Sequence, residues 1–269
     1  MMRKAVVLAR GLGRRMRVPT SHAHLNPSQA EVAESGLKAM MPFKRPFLDY
    51  LISALADAGF EQACLVIGPE HDAVRTHYTA TAPPKRIRVR FAVQAEPLGT
   101  ADAVLAAEEF ANTEDFLTLN SDNYYPVSAL RTLRSLQEPS VALFRASSLV
   151  AGGIPSERIL KFAICAMSSD GYLAGIAEKP TEVLQSSCPE DRLVSLNCWR
   201  FPPAIFDACR RTPISPRGEY ELPTAVETAM RALGIRFRVA VCEEPVLDLS
   251  SRADVAAVAQ KLTSITANP

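Results

Sequence analysis

Val6-Val7-Leu8-Ala9-Arg10-Gly11-Leu12-Gly13-Arg14-Arg15-Met16 runs from an apolar, β-favouring segment into a loop with two glycines and three arginines. A short apolar run bounded by such a loop reads as a buried strand, here Ala5 to Leu8. Glycines let the backbone approach an anion closely, and guanidinium forks bind phosphate oxygens. The stretch therefore reads as a strand that breaks into a phosphate-binding loop. Two familiar phosphate loops fit it less well. A dinucleotide fingerprint requires a third glycine where Met16 stands, and the Walker type requires Gly-Lys-Ser/Thr. For this loop in isolation, a tight surface turn with solvated arginines is the plain alternative.

Outward from the loop, short β-rich runs alternate with helix-like stretches up to about residue 146. Strands are expected at Ala63 to Ile67, Ile87 to Val93, Phe116 to Leu119 and Val141 to Phe144. Helices are expected at Phe47 to Ala58, Glu70 to Tyr78, Ala101 to Phe110 and Val127 to Leu136. This alternation predicts an α/β fold with a Rossmann-like, doubly wound, mostly parallel sheet. Beyond Gly153 the pattern turns strand-rich, with Ile159 to Ala166, Tyr172 to Ala177 and Leu193 to Phe201. Helices return at Pro203 to Arg211, Leu222 to Leu233 and Ala253 to Leu262. One domain is expected over residues 1–269, in two portions, 1–146 and 147–269. The polar stretch Val18 to Gly36 is long for a connection of this kind and reads as a loop.

Composition narrows the function classes. With 30 Lys+Arg against 29 Asp+Glu, the net charge of +1 gives no whole-chain attraction for nucleic acid or anionic membrane. The basic start has only Ala5 to Ala9 as an uninterrupted apolar run, too short for a signal peptide or a membrane span. Six cysteines without a C-x-x-C pair suggest neither a zinc cluster nor a disulfide framework, which fits a reducing cytoplasm. His22 and His24 read as solvated loop residues.

The loop is followed by Lys38-Ala39-Met40-Met41-Pro42 and by Arg45-Pro46-Phe47-Leu48-Asp49-Tyr50. In this order the segments resemble the sugar-phosphate nucleotidyltransferases, whose signature reads L-A-x-G-x-G-T-R-[ML] and then K-x-[ML]-x-P. The family includes glucose-1-phosphate thymidylyltransferases and uridylyltransferases, and the resemblance runs nearly to the C-terminus. It implies a Mg²⁺-dependent enzyme that joins a nucleoside triphosphate, UTP or dTTP favoured, to a sugar 1-phosphate and releases pyrophosphate. It also implies a possible homo-oligomer.

Residue by residue, the resemblance places Arg15 and Lys38 in the chemistry. Leu8, Ala9, Gly11 and Gly13 would contact the nucleotide, with Gln94, Gly99 and Thr100 in a segment like the family's Q-x-x-x-x-G-T-A. Thr100 is further expected to cap the helix that follows it. Asp122, after the strand Phe116 to Leu119, would be one metal ligand, and Asp248 in Val246-Leu247-Asp248-Leu249 the second. Glu178 and Lys179 match the E-K-P motif that contacts the sugar phosphate, and Asn197 stands in the strand that contacts the sugar. Arg217-Gly218-Glu219-Tyr220-Glu221-Leu222 resembles the family's G-E-Y-E-[LI] helix start and reads as architectural. Arg10, Arg14 and Ser250-Ser251 depart from the family pattern, and Phe162-Ala163 stands where Tyr-Gly often contacts the sugar. Two other readings compete: a non-catalytic, nucleotide-sugar-binding regulatory subunit and a nicotinamide-dependent dehydrogenase. The dehydrogenase lacks its third glycine and an acidic residue ending the second strand.

Overall fold

The computed structural model describes residues 1–20, 23–178 and 191–269. In chain order it begins with β1 (Lys4–Leu8), α1 (Arg14–Arg17), α2 (Pro27–Ser35), α3 (Phe47–Asp57), β2 (Gln62–Ile67) and α4 (Asp72–Thr76). It continues with β3 (Arg88–Val93), α5 (Thr100–Leu105), α6 (Glu108–Ala111), β4 (Phe116–Asn120), β5 (Asn123–Tyr124), α7 (Val127–Ser135) and β6 (Ser140–Arg145). Then come α8 (Ala146–Ala151), α9 (Ser156–Ile159), β7 (Ala163–Met167), β8 (Leu173–Glu178) and β9 (Leu193–Phe201). The chain closes with α10 (Ile205–Arg211), α11 (Leu222–Leu233), β10 (Arg238–Cys242), β11 (Leu247–Asp248) and α12 (Asp254–Leu262).

Among the described residues, nine strands form one sheet in the order β10-β6-β9-β4-β1-β2-β3, with β7 joined to β9 and β8 to β7. The pairs β4-β1, β1-β2, β2-β3 and β10-β6 are parallel. β9 runs antiparallel between β4 and β6. The expected mostly parallel, doubly wound sheet is therefore present. The strand-rich second half enters it through β9 rather than forming a separate layer.

Alternation along β1 explains why helices cover both faces. Ala5 and Val7 point into one core with Leu48, Leu51 and Leu55 of α3 and with Leu130 and Leu133 of α7. Val6 and Leu8 point into another with Val104 of α5, Phe206 of α10 and Val226 of α11. A third cluster gathers Met16, Met41, Phe47, Leu249 and Val255 beside the glycine loop and ties the chain's first and last segments together. Cys64, Cys165, Cys198 and Cys209 are buried free thiols. Burial pushes the Cys64 and Cys209 thiols up to about 12, so they behave as small core residues.

Several local expectations are revised, and the helix expected over 101–110 divides at residues 106–107 into α5 and α6. The region 159–166 is strand only from Ala163, because Pro155 opens α9 and Ile159 packs that short helix into the core. The helix expected over 70–78 ends at Thr76 and continues as a π-helical turn, His77–Thr81. The stretch 18–36, read as a loop, contains α2. Its capping box is complete: the Asn26 side chain accepts from Gln29 N at 2.9 Å, Gln29 Oε1 accepts from Asn26 N at 3.2 Å, and Pro27 opens the first turn. Asn26→Ala is expected to cost about 1 kcal/mol of stability in a urea melt, with the oligomeric state unchanged.

No helix among the described residues is long and apolar enough to cross a membrane.

Candidate active site

A cavity of about 410 Å³ opens at the carboxyl ends of β1, β3 and β4, the edge where parallel sheets bind ligands. Its wall includes Leu8 to Arg15, Lys38, Gln94, Gly99, Thr100, Asp122, Asn197, Glu219 and Ser250. Nearly all the site residues expected from the sequence and lying in the described segments therefore meet in one place. Asp248 lies just behind the wall, hydrogen-bonded to Ser250. Glu178 ends β8 opposite Ala163. Lys179 lies outside the described residues.

The glycine loop has a steric reason for its composition. Gly13 sits at φ +59°, and a Cβ there would stand 2.1 Å from the carbonyl oxygen of Gly36. The loop thus packs backbone to backbone against residue 36, whose carbonyl accepts from Lys38 N at 2.9 Å. This contact carries Lys38 to the cavity, where its Nζ pairs with Asp122 Oδ2. Both side chains are mostly buried, at 15% and 24% exposure, so the pair is shielded from solvent.

Four basic residues, Arg10, Arg14, Arg15 and Lys38, share the wall with two acidic ones, Asp122 and Glu219. Such a wall suits a polyanion. Arg10 is buried, with its Nη2 3.5 Å from Glu70 Oε2, and its Nε and Nη1 have no hydrogen-bond partner among the described residues.

Across the cavity, the Gln94 side-chain amide donates to Gly99 O at 3.0 Å and to Asp102 Oδ2 at 2.8 Å. Both partners are acceptors only, which turns the amide nitrogen toward them. Gly99, at φ +110°, lies so close to Tyr220 that a Cβ would be 2.6 Å from its carbonyl oxygen. Tyr220 N donates to Leu98 O at 2.7 Å, and Ala101 N to Tyr220 O at 2.9 Å. Thr100, expected to cap its own helix, instead accepts from Leu222 N at 2.9 Å and so caps α11. The segment 217–222 is thereby an integral strut of the Gln94–Thr100 loop. It also brings Glu219 into the wall, a placement that its reading as a helix start had missed.

On the far side, Asn197 takes a left-handed backbone at φ +57° and donates to Asn120 Oδ1 at 3.2 Å. Asn120 in turn donates to Asn123 Oδ1 at 3.3 Å, linking β4, β5 and β9.

The two aspartates expected to share an ion come together through β5 and β11. Asn123 pairs with Asp248, and Leu249 N donates to Asp122 O at 2.9 Å. Burial pushes the Asp248 carboxyl up, and the charge on Asp122 pushes it the same way, against the pull of Ser250 and Arg158. Both Asp248 oxygens are engaged. Oδ1 accepts from Asn123 Nδ2 at 3.0 Å, Oδ2 from Arg158 Nη1 at 2.8 Å, and both from Ser250 Oγ. Nothing in the sequence singled out Arg158, which lies outside every motif.

The chain's similarities match this geometry. The profile of the family described as "Nucleotidyl transferase" matches residues 4–235. The UTP–glucose-1-phosphate uridylyltransferase AglF of Haloferax volcanii is 26% identical over 230 residues, covering 85% of this chain and 84% of that one. A glucose-1-phosphate thymidylyltransferase of Streptomyces griseus is 29% identical over 231 residues, 83% of this chain but 56% of that protein. The chain thus spans most of the archaeal relative and little more than half of the Streptomyces one. In fold it is similar to a UDP-glucose pyrophosphorylase solved with UDP-glucose, with TM-score 0.74 at 18% identity over 98% of this chain and all of that one. The UTP-bound enzyme from Acinetobacter baumannii gives 0.71 at 19% identity, over 100% and 96%. With the family profile spanning nearly the whole length and the family's motifs converging on one cavity, the chain belongs to the nucleotidyl transferase family, among its sugar-phosphate nucleotidyltransferases.

Proposed function

We propose that the protein transfers a nucleotidyl group from UTP or dTTP to a sugar 1-phosphate, releasing pyrophosphate, with Mg²⁺ as cofactor. The observation that carries this reading is the single cavity that joins the arginine-rich glycine loop, the Lys38–Asp122 pair and the Gln94–Thr100 loop. In this reading the nucleotide lies on residues 1–146 and the sugar phosphate on 147–269.

Transfer at a phosphorus centre needs positioning and charge neutralisation more than covalent help from the protein. Leu8, Ala9, Gly11 and Gly13 would cradle the nucleotide, and Gln94, Gly99 and Thr100 would face the base. Arg15 and Lys38 would balance charge on the departing pyrophosphate. The sugar phosphate, held by Glu178, Lys179 and Asn197, would attack the α-phosphorus in line.

A divalent ion would bind at Asp122, whose Oδ2 Lys38 now holds, beside the basic residues that would hold the triphosphate oxygens such an ion also needs. Asp248 offers the right donor atoms, at present taken up by Arg158, Ser250 and Asn123. When bound, Mg²⁺ would neutralise charge on the phosphates.

Mass spectrometry of reactions containing Mg²⁺, each nucleoside triphosphate and a panel of sugar 1-phosphates tests the reading. A nucleotide sugar formed from a uridine or thymidine triphosphate is the expected product. Nucleotide-sugar binding with no product from any pair would favour a regulatory subunit instead.

A further inference from the structure

Each of the two aspartates at the proposed ion site already carries a cation of the chain's own. Lys38 sits on Asp122, and Arg158 sits on Asp248. The second pair is the more closely built. Arg158 stands on the short helix α9, pinned by Ile154 and Ile159 in the core. Its guanidinium spans two carboxylates, Nη1 on Asp248 Oδ2 and Nη2 on Asp254 Oδ1, each at 2.8 Å. All three side chains are nearly buried, at 13%, 3% and 10% exposure. Asp254 is itself held in place, because its Oδ2 accepts from Ser250 N at 3.1 Å and Ser251 N at 2.7 Å.

We propose that Arg158 is a resident competitor for the divalent cation at Asp248, so that the nucleotide-free protein binds the ion weakly and the ion enters together with the nucleotide triphosphate. The proposal rests on the assignment of Asp122 and Asp248 to the ion.

The argument is one of charge and space. Mg²⁺ demands ligand oxygens at about 2.0–2.1 Å in near-octahedral order, whereas Asp248 Oδ2 already accepts from both Arg158 Nη1 and Ser250 Oγ, and the guanidinium charge weakens its pull on a second cation. With Lys38 on Asp122 and Arg158 shared between Asp248 and Asp254, two cations face three carboxylates, and a divalent ion entering alone must displace one of these resident partners. A triphosphate changes that balance. It brings its own anionic oxygens to the ion and offers the cavity's cations a competing partner. Two carboxylates buried side by side without Arg158 would instead attract a cation strongly.

The test is Mn²⁺ binding, followed by electron paramagnetic resonance, to the nucleotide-free protein and to the protein with the non-reacting analogue α,β-methylene-UTP. Wild type is expected to bind Mn²⁺ weakly alone and more tightly with the analogue. Arg158→Met is expected to tighten nucleotide-free binding by about tenfold or more, and adding Asp248→Asn should remove that gain. Arg158→Gln removes the charge and keeps an N–H donor for the carboxylates that Arg158 bridges. It should give an intermediate gain, and it carries the test if Arg158→Met does not fold. Nucleotide-free affinities of these variants within about twofold of wild type would overturn the proposal, as would wild-type binding equally tight with and without the analogue. If no ion binds even with the analogue, the metal assignment itself falls, and the competitor with it.

Discussion

Asp122→Asn is expected to lower kcat by about 10²–10³-fold, the equivalent of ~2.7–4 kcal/mol of transition-state stabilisation, while the protein melts within a few degrees of wild type. The carboxylate stands in the cavity wall beside Lys38, so its charge is available to the reaction. Its structural duty belongs to the backbone, since the bond that fastens β11 here is accepted by the Asp122 carbonyl from Leu249 N. Asparagine keeps that bond and nearly the same shape. What it removes is the negative charge; the asparagine Oδ1 still accepts from Lys38 Nζ, which limits the cost to stability to about 1–2 kcal/mol. Steady-state kinetics and a thermal melt on the same preparation check both halves. Unchanged turnover would remove Asp122 from the chemistry.

Gly13→Ala is expected to have the largest effect on the fold around the cavity. The position is left-handed at φ +59°, and the added methyl would meet the oxygen and Cα of Gly36 at 2.1 and 2.6 Å. Both obstacles are backbone, so no rotamer change relieves them. Left-handed strain and forced overpacking each cost about 1–3 kcal/mol, giving an expected loss of roughly 2–6 kcal/mol. Residue 36 is two positions from Lys38, so the displacement also draws that lysine away from Asp122. A urea melt should show the destabilisation, and turnover of the folded fraction should fall as well. Gly11→Ala is the control for the melt alone, because a Cβ at Gly11 meets nothing of the protein within 4 Å.

The central strands β1, β2, β4 and β6 were legible because they are apolar on both faces and bounded by turn residues. β9 and α11 stand at the residues that periodicity marks, Leu193 to Phe201 and Leu222 to Leu233. The cavity residues on the glycine loop, the Gln94–Thr100 segment and the Asp122 turn were legible for a related reason. Each stands at the end of a strand or the start of a helix, in a short motif.

The rest depends on long-range contacts with no local trace. β5 and β11 are two residues each, and only their mutual pairing makes them strands. Arg158 acts through a fork onto residues about 90 positions away, and α9 carries no motif to announce it. α2 is a different case. Asn26-Pro27-Ser28-Gln29 does carry a capping signal, but the polar sequence around it lacks an apolar face and conceals the helix.

Pyrophosphate release from the purified protein with Mg²⁺, UTP or dTTP, and a sugar 1-phosphate, each component omitted in turn, tests the central claim most directly. The account predicts release only when the nucleotide and the sugar 1-phosphate are both present, abolished by chelation and nearly abolished in Asp122→Asn. Release that continues without any sugar phosphate, or silence across the whole panel with the nucleotide bound, would contradict it.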